Sequence, residues 1–342
     1  MKIQRCKGMR DLSPREMKIF HYIQGIYRDN FLKWGYQEVR TPTIEYLHLF
    51  TSAGTLTPGM LGRVYSFLDW DGWSGERVVL RPEGTIPVAR MYADKMHGLA
   101  RLFYTANVFR FEQTGENREV WQCGAEIIGA GSSTADAELI ALSLDILKKL
   151  GINAEIRLSH AGLINVLLTR LGLSQEEHHK IFDKILDGDT EALAQISKES
   201  PELGGSLLPL LSLKGQTPGF LRNQQALLCR DIPAIKAPLD DFLKTIAILD
   251  NLGIRYQINI ASGAGFEYYT GVVFQLYAGK VKVGGGGRYD ALVSSMGGSD
   301  TPASGFALYL DRLMNQVRPE DLPETGNVRI LVKASADYVK EA

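Results

Sequence analysis

Cysteine is scarce in this chain. Cys6, Cys123 and Cys229 are the only three in 342 residues, far apart and without Cys-x-x-Cys spacing, so neither a disulfide framework nor a cysteine zinc site is indicated. No apolar run approaches the roughly 18 residues of a membrane span, and the N-terminus, MKIQRCKGMRDLSP, lacks the apolar core of a signal peptide. Charge of one sign is missing too: 38 Lys and Arg stand against 39 Asp and Glu, a net charge of −1. No basic surplus therefore drives bulk binding to nucleic acid or anionic membrane. There is no internal repeat or low-complexity tract. With 45% hydrophobic and 23% charged residues, a disordered, collagen-like or coiled-coil chain is excluded. The length suits one large or two ordinary domains. A soluble, cytoplasmic, globular protein is expected.

What is present begins with Ser13-Pro14-Arg15-Glu16, a capping box with proline at the first helical position. Met17, Phe20, Ile23, Tyr27, Phe31 and Trp34 recur at helical spacing and predict one apolar face, ended by Gly35. Tyr36 to Pro42 reads as a strand stopped by proline. Arg77–Leu80, Arg101–Val108 and Val120–Ile128 read as strands of an antiparallel sheet. A helix is expected over about Ala135–Leu150, capped by Thr134 and stopped by Gly151, followed by a strand over Ala154–Leu158. From about Gly172 to Pro238 the pattern turns leucine-rich and helical without strand signal, opened by a capping box at Ser174–Glu177; this reads as a helical insertion. Strands resume at Ile254–Ile260 and Val272–Tyr277, and a last helix is expected from about Pro302 to Val317. Strands flanked by helices without regular βαβ alternation predict an α+β fold with an antiparallel sheet.

The chemistry concentrates around Leu80-Arg81-Pro82-Glu83-Gly84-Thr85. A carboxylate just after a strand, with a hydroxyl two residues on, can hold an ammonium group. Alone the signal is weak, and an exposed Glu in a turn explains it better. Its company is Phe109-Arg110-Phe111-Glu112 after one strand and Val120 to Glu126 on the next. Side chains two apart on a strand share a face, so Gln122, Gly124 and Glu126 point one way, with Gly124 leaving room between two polar groups. Polar groups on an otherwise apolar face need partners, which a polar ligand would supply.

These segments occur in order with Gly265-Phe266-Glu267-Tyr268-Tyr269-Thr270-Gly271, Gly285-Gly286-Gly287-Arg288-Tyr289-Asp290 and Gly305 to Arg312. Together they resemble the catalytic core of class II histidyl-tRNA synthetases and their paralogues, from Gly8 to about Val317. The resemblance implies a six-stranded antiparallel sheet flanked by helices, and a dimer formed through the first helix and the strand ending at Pro42. It implies a histidine-binding set: Glu83 for the ammonium with Thr85 beside it, Arg110 for the carboxylate and the α-phosphate of ATP, and Gln122 as a further polar contact. Glu126, Tyr269 and Tyr289 would read the imidazole, with Tyr268 adjacent. One anion for the ammonium, one cation for the carboxylate and hydrogen-bonding groups for two ring nitrogens make a reader of histidine.

Departures from the synthetase pattern fall on the ATP side. The arginine expected before the Tyr-Tyr segment is Ala264; losing such a charge contact costs roughly 3–4 kcal/mol, about 10²–10³ in rate. The loop from Gln113 to Arg118 looks shorter than the pattern. Arg312 is kept, but a small residue expected three positions earlier is Tyr309, which would crowd adenine. Arg110, Ala264, Tyr309 and Arg312 thus outline a degenerate ATP site. A synthetase also needs an anticodon-binding domain of roughly 90 residues, and 30 residues follow Arg312; either that domain is absent or the sequence is a piece of a longer chain. The expected organisation is a synthetase-like core over 1–320, including the insertion at about 172–238, then a remnant or the start of a truncated α/β domain over 321–342. Val328–Val332 reads as its opening strand.

Other features have ordinary explanations. His178 and His179, adjacent on a helix, point about 100° apart and cannot chelate one metal well. Gly284 to Gly287 lack a phosphate-loop spacing and read as a tight turn. Trp70 and Trp73 decorate a hairpin turn or dock a partner. A kept histidine pocket beside a degraded ATP site resembles one paralogue group, the regulatory subunits of short-form ATP phosphoribosyltransferase. That resemblance implies no catalytic residue, metal or cofactor in this chain. Its partner would be the short catalytic subunit, its effector histidine, and its assembly a homodimer within a hetero-octamer, with no tRNA or membrane. Two other readings stay open: a histidyl-tRNA synthetase or fragment with an atypical active site, and a synthetase-like module binding RNA or histidine in other signalling.

Overall fold

A computed structural model describes residues 4–52, 61–70, 75–111, 117–169, 214–215, 219–260, 268–318, 320 and 322. Helix α1 (Pro14–Lys33) opens as expected: the Ser13 hydroxyl accepts the Glu16 N–H, and the Glu16 carboxylate accepts the Ser13 N–H. Ile19, Phe20, Ile23, Tyr27 and Phe31 form its buried stripe. Trp34 leaves that stripe and is exposed, because the helix has ended and Gly35 turns the chain at φ 78°.

The chain continues through β1 (Gln37–Glu38), β2 (Ile44–Tyr46), α2 (Leu47–Ser52), β3 (Ser66–Trp70), β4 (Gly75–Leu80), α3 (Thr85–Lys95), β5 (Ala100–Phe109) and β6 (Glu119–Ile128). Then come α4 (Ser133–Lys149), β7 (Glu155–His160), α5 (Ala161–Thr169), β8 (Lys214–Gly215), α6 (Gly219–Asp231), α7 (Lys236–Asn251) and β9 (Gln257–Asn259). The last elements are β10 (Val272–Ala278), β11 (Val281–Arg288), α8 (Leu292–Ser295), β12 (Ala303–Tyr309) and α9 (Leu310–Met314).

The main sheet has nine strands in the order β1-β5-β6-β12-β11-β10-β7-β9-β8. Its interior, β5 through β7, is the expected six-stranded antiparallel unit. Edge strands make the difference: β1 and β9 add in parallel, and β8 pairs with β9. A second sheet, β2-β4-β3, stands beside it. Alternation along β5 divides the core. Phe103 faces α1, stacking on Phe31 at 5.1 Å, while Leu102, Tyr104 and Ala106 face the opposite side, under α3.

Several expected elements are corrected. The strand over Tyr36–Pro42 shrinks to two residues because the carbonyls of Thr41 and Pro42 are taken by the Arg81 guanidinium at 2.8 and 3.0 Å, not by a strand partner. Ser132, not Thr134, caps α4. The glycine run is no turn: Gly284 to Gly287 lie within β11, between β10 and β12. The strands approach so closely there that a Cβ on Gly286 would overlap the Gly305 carbonyl. The expected last helix splits into β12 and the short α9, since Ala303 to Tyr309 find partners on both sides, in β11 and β6. Within the insertion, residues 214–215 form a short strand, contrary to the all-helical expectation. Helix α6 is helical as expected, and α7 returns to the main core through Leu239, Phe242, Ile246 and Leu249. Ser174–Glu177, His178, His179, Trp73 and Val328–Val332 lie outside the described residues.

Candidate functional site

One face of β6, β12, β11 and β10 forms the floor of a cleft holding about 540 Å³ of empty space, its open mouth included. Glu83, Thr85, Gln122, Tyr268, Tyr269 and Tyr289 line it, seven of the eight expected histidine-binding residues being gathered there once Glu126 is added through its direct bonds to this group.

Glu83 sits between β4 and α3. Its carboxylate accepts the backbone N–H groups of Thr85 and Ile86 at 2.8 and 2.6 Å, satisfying donors that the start of a helix leaves open. The preceding Arg81 is not part of the cleft. It is a brace, bonding Thr41, Pro42 and both the carbonyl and the side chain of Asn107. Glu126 is fully buried. It accepts hydroxyls from Tyr289, from Thr85 at 2.9 Å and from Tyr104 at 3.4 Å. This position exists because the facing residue is Gly305, where a Cβ would overlap Glu126 Oε2. Burial raises both acids: Glu83 to about 7, against the pull of its N–H bonds and of Arg110, and Glu126 to about 8, against its hydroxyl donors.

Tyr289 is fixed by what lies next to it. Arg288 is paired with Asp136 and, at 2.9 Å, with Asp241, and Tyr289 N–H donates to the Ala303 carbonyl at 2.7 Å. Tyr268 packs edge-on to Tyr289 at 5.6 Å and beside Tyr269 at 4.9 Å. Burial pushes the phenols of Tyr268, Tyr269 and Tyr289 up, so they remain neutral hydroxyls able to donate or accept.

Arg110 stands half-buried just beyond β5, outside the lining of this cleft, although its charge is felt by Glu83. On the expected ATP side, Tyr309 lines the cleft and carries the Arg312 guanidinium 4.9 Å above its ring. Arg312 also donates to the Lys282 carbonyl at 2.9 Å. Ala264 and the loop 112–116 lie outside the described residues.

Three residues of the site escape sequence reasoning: Tyr104, Gln275 and Lys282. Gln275 had a signal, a lone amide in the apolar run Val272 to Ala278, and it is buried in the cleft wall with its Oε1 accepting the Tyr277 hydroxyl at 2.9 Å. Tyr104 and Lys282 had none, since a tyrosine or lysine in a strand is ordinary. Chemically, two buried carboxylates and a lysine suit a small ligand with a cationic and an anionic group, and the tyrosines suit a planar ring.

The family model for histidyl-tRNA synthetase matches residues 8–313. An ATP phosphoribosyltransferase regulatory subunit from Dehalococcoides mccartyi is 53% identical over 99% of this chain and 84% of its own. A histidine–tRNA ligase from Methanosarcina acetivorans is 34% identical over 99% of this chain and 81% of its own. Among solved structures, one described as an ATP phosphoribosyltransferase regulatory subunit/histidyl-tRNA synthetase from Bacillus halodurans superposes with a TM-score of 0.79 at 27% identity, covering 93% of this chain and 84% of that one. With that coverage and identity, the chain belongs to the histidyl-tRNA synthetase family and, within it, to the branch of the ATP phosphoribosyltransferase regulatory subunits.

Proposed function

We propose that this chain is the non-catalytic regulatory subunit of an ATP phosphoribosyltransferase, required by a short catalytic subunit in histidine biosynthesis, and that it senses histidine in the cleft. The observation that carries the assignment is the 53% identity to a regulatory subunit along nearly the whole chain, against 34% to a histidine–tRNA ligase. The cleft supports the sensor part. Glu83 would take the ammonium, Glu126 and Tyr289 the imidazole, and Thr85, Gln122, Tyr268 and Tyr269 would complete the enclosure. Arg110 supplies positive charge near Glu83. Tyr309 and Arg312 are folded on each other, and the sequence carries Ala264 where the synthetase pattern has an arginine; adenylate formation and tRNA charging are not expected.

Assembly into a homodimer, and with catalytic subunits into a hetero-octamer, belongs to the same proposal. In its support, Ile44, Tyr46, Phe67, Leu68 and Trp70 of the smaller sheet are exposed, Trp70 to 68%. Ile44, Tyr46 and Phe67 share one face of that sheet and Leu68 and Trp70 the other, and large exposed apolar side chains of this kind are what assemblies cover. No helix among the described residues is long and apolar enough to cross a membrane; a cytoplasmic location follows from the proposed pathway.

The test is reconstitution. Mixed with its cognate short catalytic subunit, the protein should raise phosphoribosyl-ATP formation, and histidine should reverse the gain. Coupling of about 1–3 kcal/mol between effector and substrates corresponds to a 5- to 150-fold change in affinity. Absence of activation at every ratio, while the two chains co-elute, overturns the proposal.

A further inference from the structure

Lys282 occupies a place that its sequence position does not explain. It lies three residues before Gly285, and on a regular strand residues three apart face opposite sides. Gly285 lines the cleft, yet so does Lys282. The pairing of β10 with β11 shows why. Leu276 pairs with Gly284 but Tyr277 pairs with Lys282, so Val283 is an extra residue and the register shifts there. This is a β-bulge, a device that turns a side chain to the other face. Val283 enters the core on the helix side, and Lys282 swings to the cleft. Its stem crosses the glycine, with Cε 3.7 Å from the point a Gly285 Cβ would occupy. Arg312 holds the backbone in place by donating to the Lys282 carbonyl.

Distances along the sheet match a particular ligand. Tyr269 lies over Gly287, beside Glu126 and Tyr289. Gly285, under the lysine stem, is two residues of strand away, roughly 6.7 Å. That is close to the reach from the imidazole to the α-carboxylate of a histidine molecule. Lys282 is the one Lys or Arg that lines the cleft among the described residues, and Glu126 stands with Tyr289 and Thr85 through direct hydrogen bonds.

We propose that Lys282, turned into the cleft by the bulge at Val283, is the partner of the ligand's α-carboxylate and sets the preference of this site for a free amino acid over its decarboxylated or reduced analogues. The assignment rests on the histidine-sensing reading given above, and its failure is separable from that of the reading. Calorimetry on the full chain compares histidine with histidinol, in which the carboxylate is a hydroxymethyl group. The wild type should prefer histidine by about 10- to 100-fold, the range of a charge-assisted hydrogen bond. Lys282→Gln should lose most of that preference while binding histidinol within about twofold of wild type, and Lys282→Arg should restore much of it. Retained histidinol binding shows the variant folded with an intact pocket. If Lys282→Gln still discriminates like wild type, or if Arg110→Gln abolishes the discrimination instead, the assignment is wrong and the sensor reading survives. If the wild type binds neither ligand, both fall.

Discussion

Binding of histidine should expel protons from this protein, in an amount that the two acids define. In the free cleft, burial holds Glu83 at about 7 and Glu126 at about 8. At pH 7 the first acid then carries about half a proton and the second about nine-tenths. An ammonium against Glu83 and an imidazole N–H against Glu126 favour the charged carboxylates and lower both values. Full ionisation in the complex would release about 1.4 protons at pH 7, less as the pH rises toward 8.5, where both acids are already largely ionised. Apparent affinity should accordingly weaken as pH falls from about 8 to about 6. Titration calorimetry at pH 7 in phosphate and in Tris, whose ionisation enthalpies differ, reads the released protons as the slope of observed heat against buffer enthalpy. Glu126→Gln should reduce the release by more than half. A wild-type slope of zero, with measurable binding, would refute the account, since it would mean that histidine meets acids already ionised or does not meet them.

The same shifts set the stability of the free protein. Both acids are raised above the 4.5 of an unfolded glutamate, so the folded state holds more protons than the unfolded one between about pH 4.5 and pH 8, and stability falls as pH rises through that window; urea midpoints at pH 5.5 and 8 should show it, less so in Glu126→Gln. Glu83→Gln and Glu126→Ala should each weaken histidine binding by about 10- to 150-fold, from the 1.5–3 kcal/mol of a charge-assisted hydrogen bond, and unchanged calorimetric affinity in both would contradict their roles. Gly305→Ala should abolish histidine binding, because the added Cβ overlaps Glu126 Oε2 and must displace it; wild-type affinity in a folded variant would mean Glu126 is not a reader. Histidine-dependent exchange of pyrophosphate into ATP should stay at background, and turnover within about tenfold of an ordinary synthetase would sink the non-catalytic assignment.

Much of this protein was legible in its sequence because the relevant physics is local. The capping box at Ser13–Glu16, the apolar stripe of α1 and the long strands β5 and β6 depend on hydrogen bonds and periodicities within one segment. Glu83, Gln122 and Glu126 were recognisable because polar groups beside or within strands need partners wherever the strands pack. The tertiary structure decided what depends on neighbours distant in the chain. The glycine run became a strand because β10 and β12 come too close on either side for side chains between them. Residues 303–309 became β12 because two strands were waiting with unpaired backbone groups. Arg81, adjacent to the site in sequence, was drawn away to brace Thr41, Pro42 and Asn107. Lys282 was brought in by a one-residue register shift between two strands, and register is a property of a pair that neither strand's residues state alone.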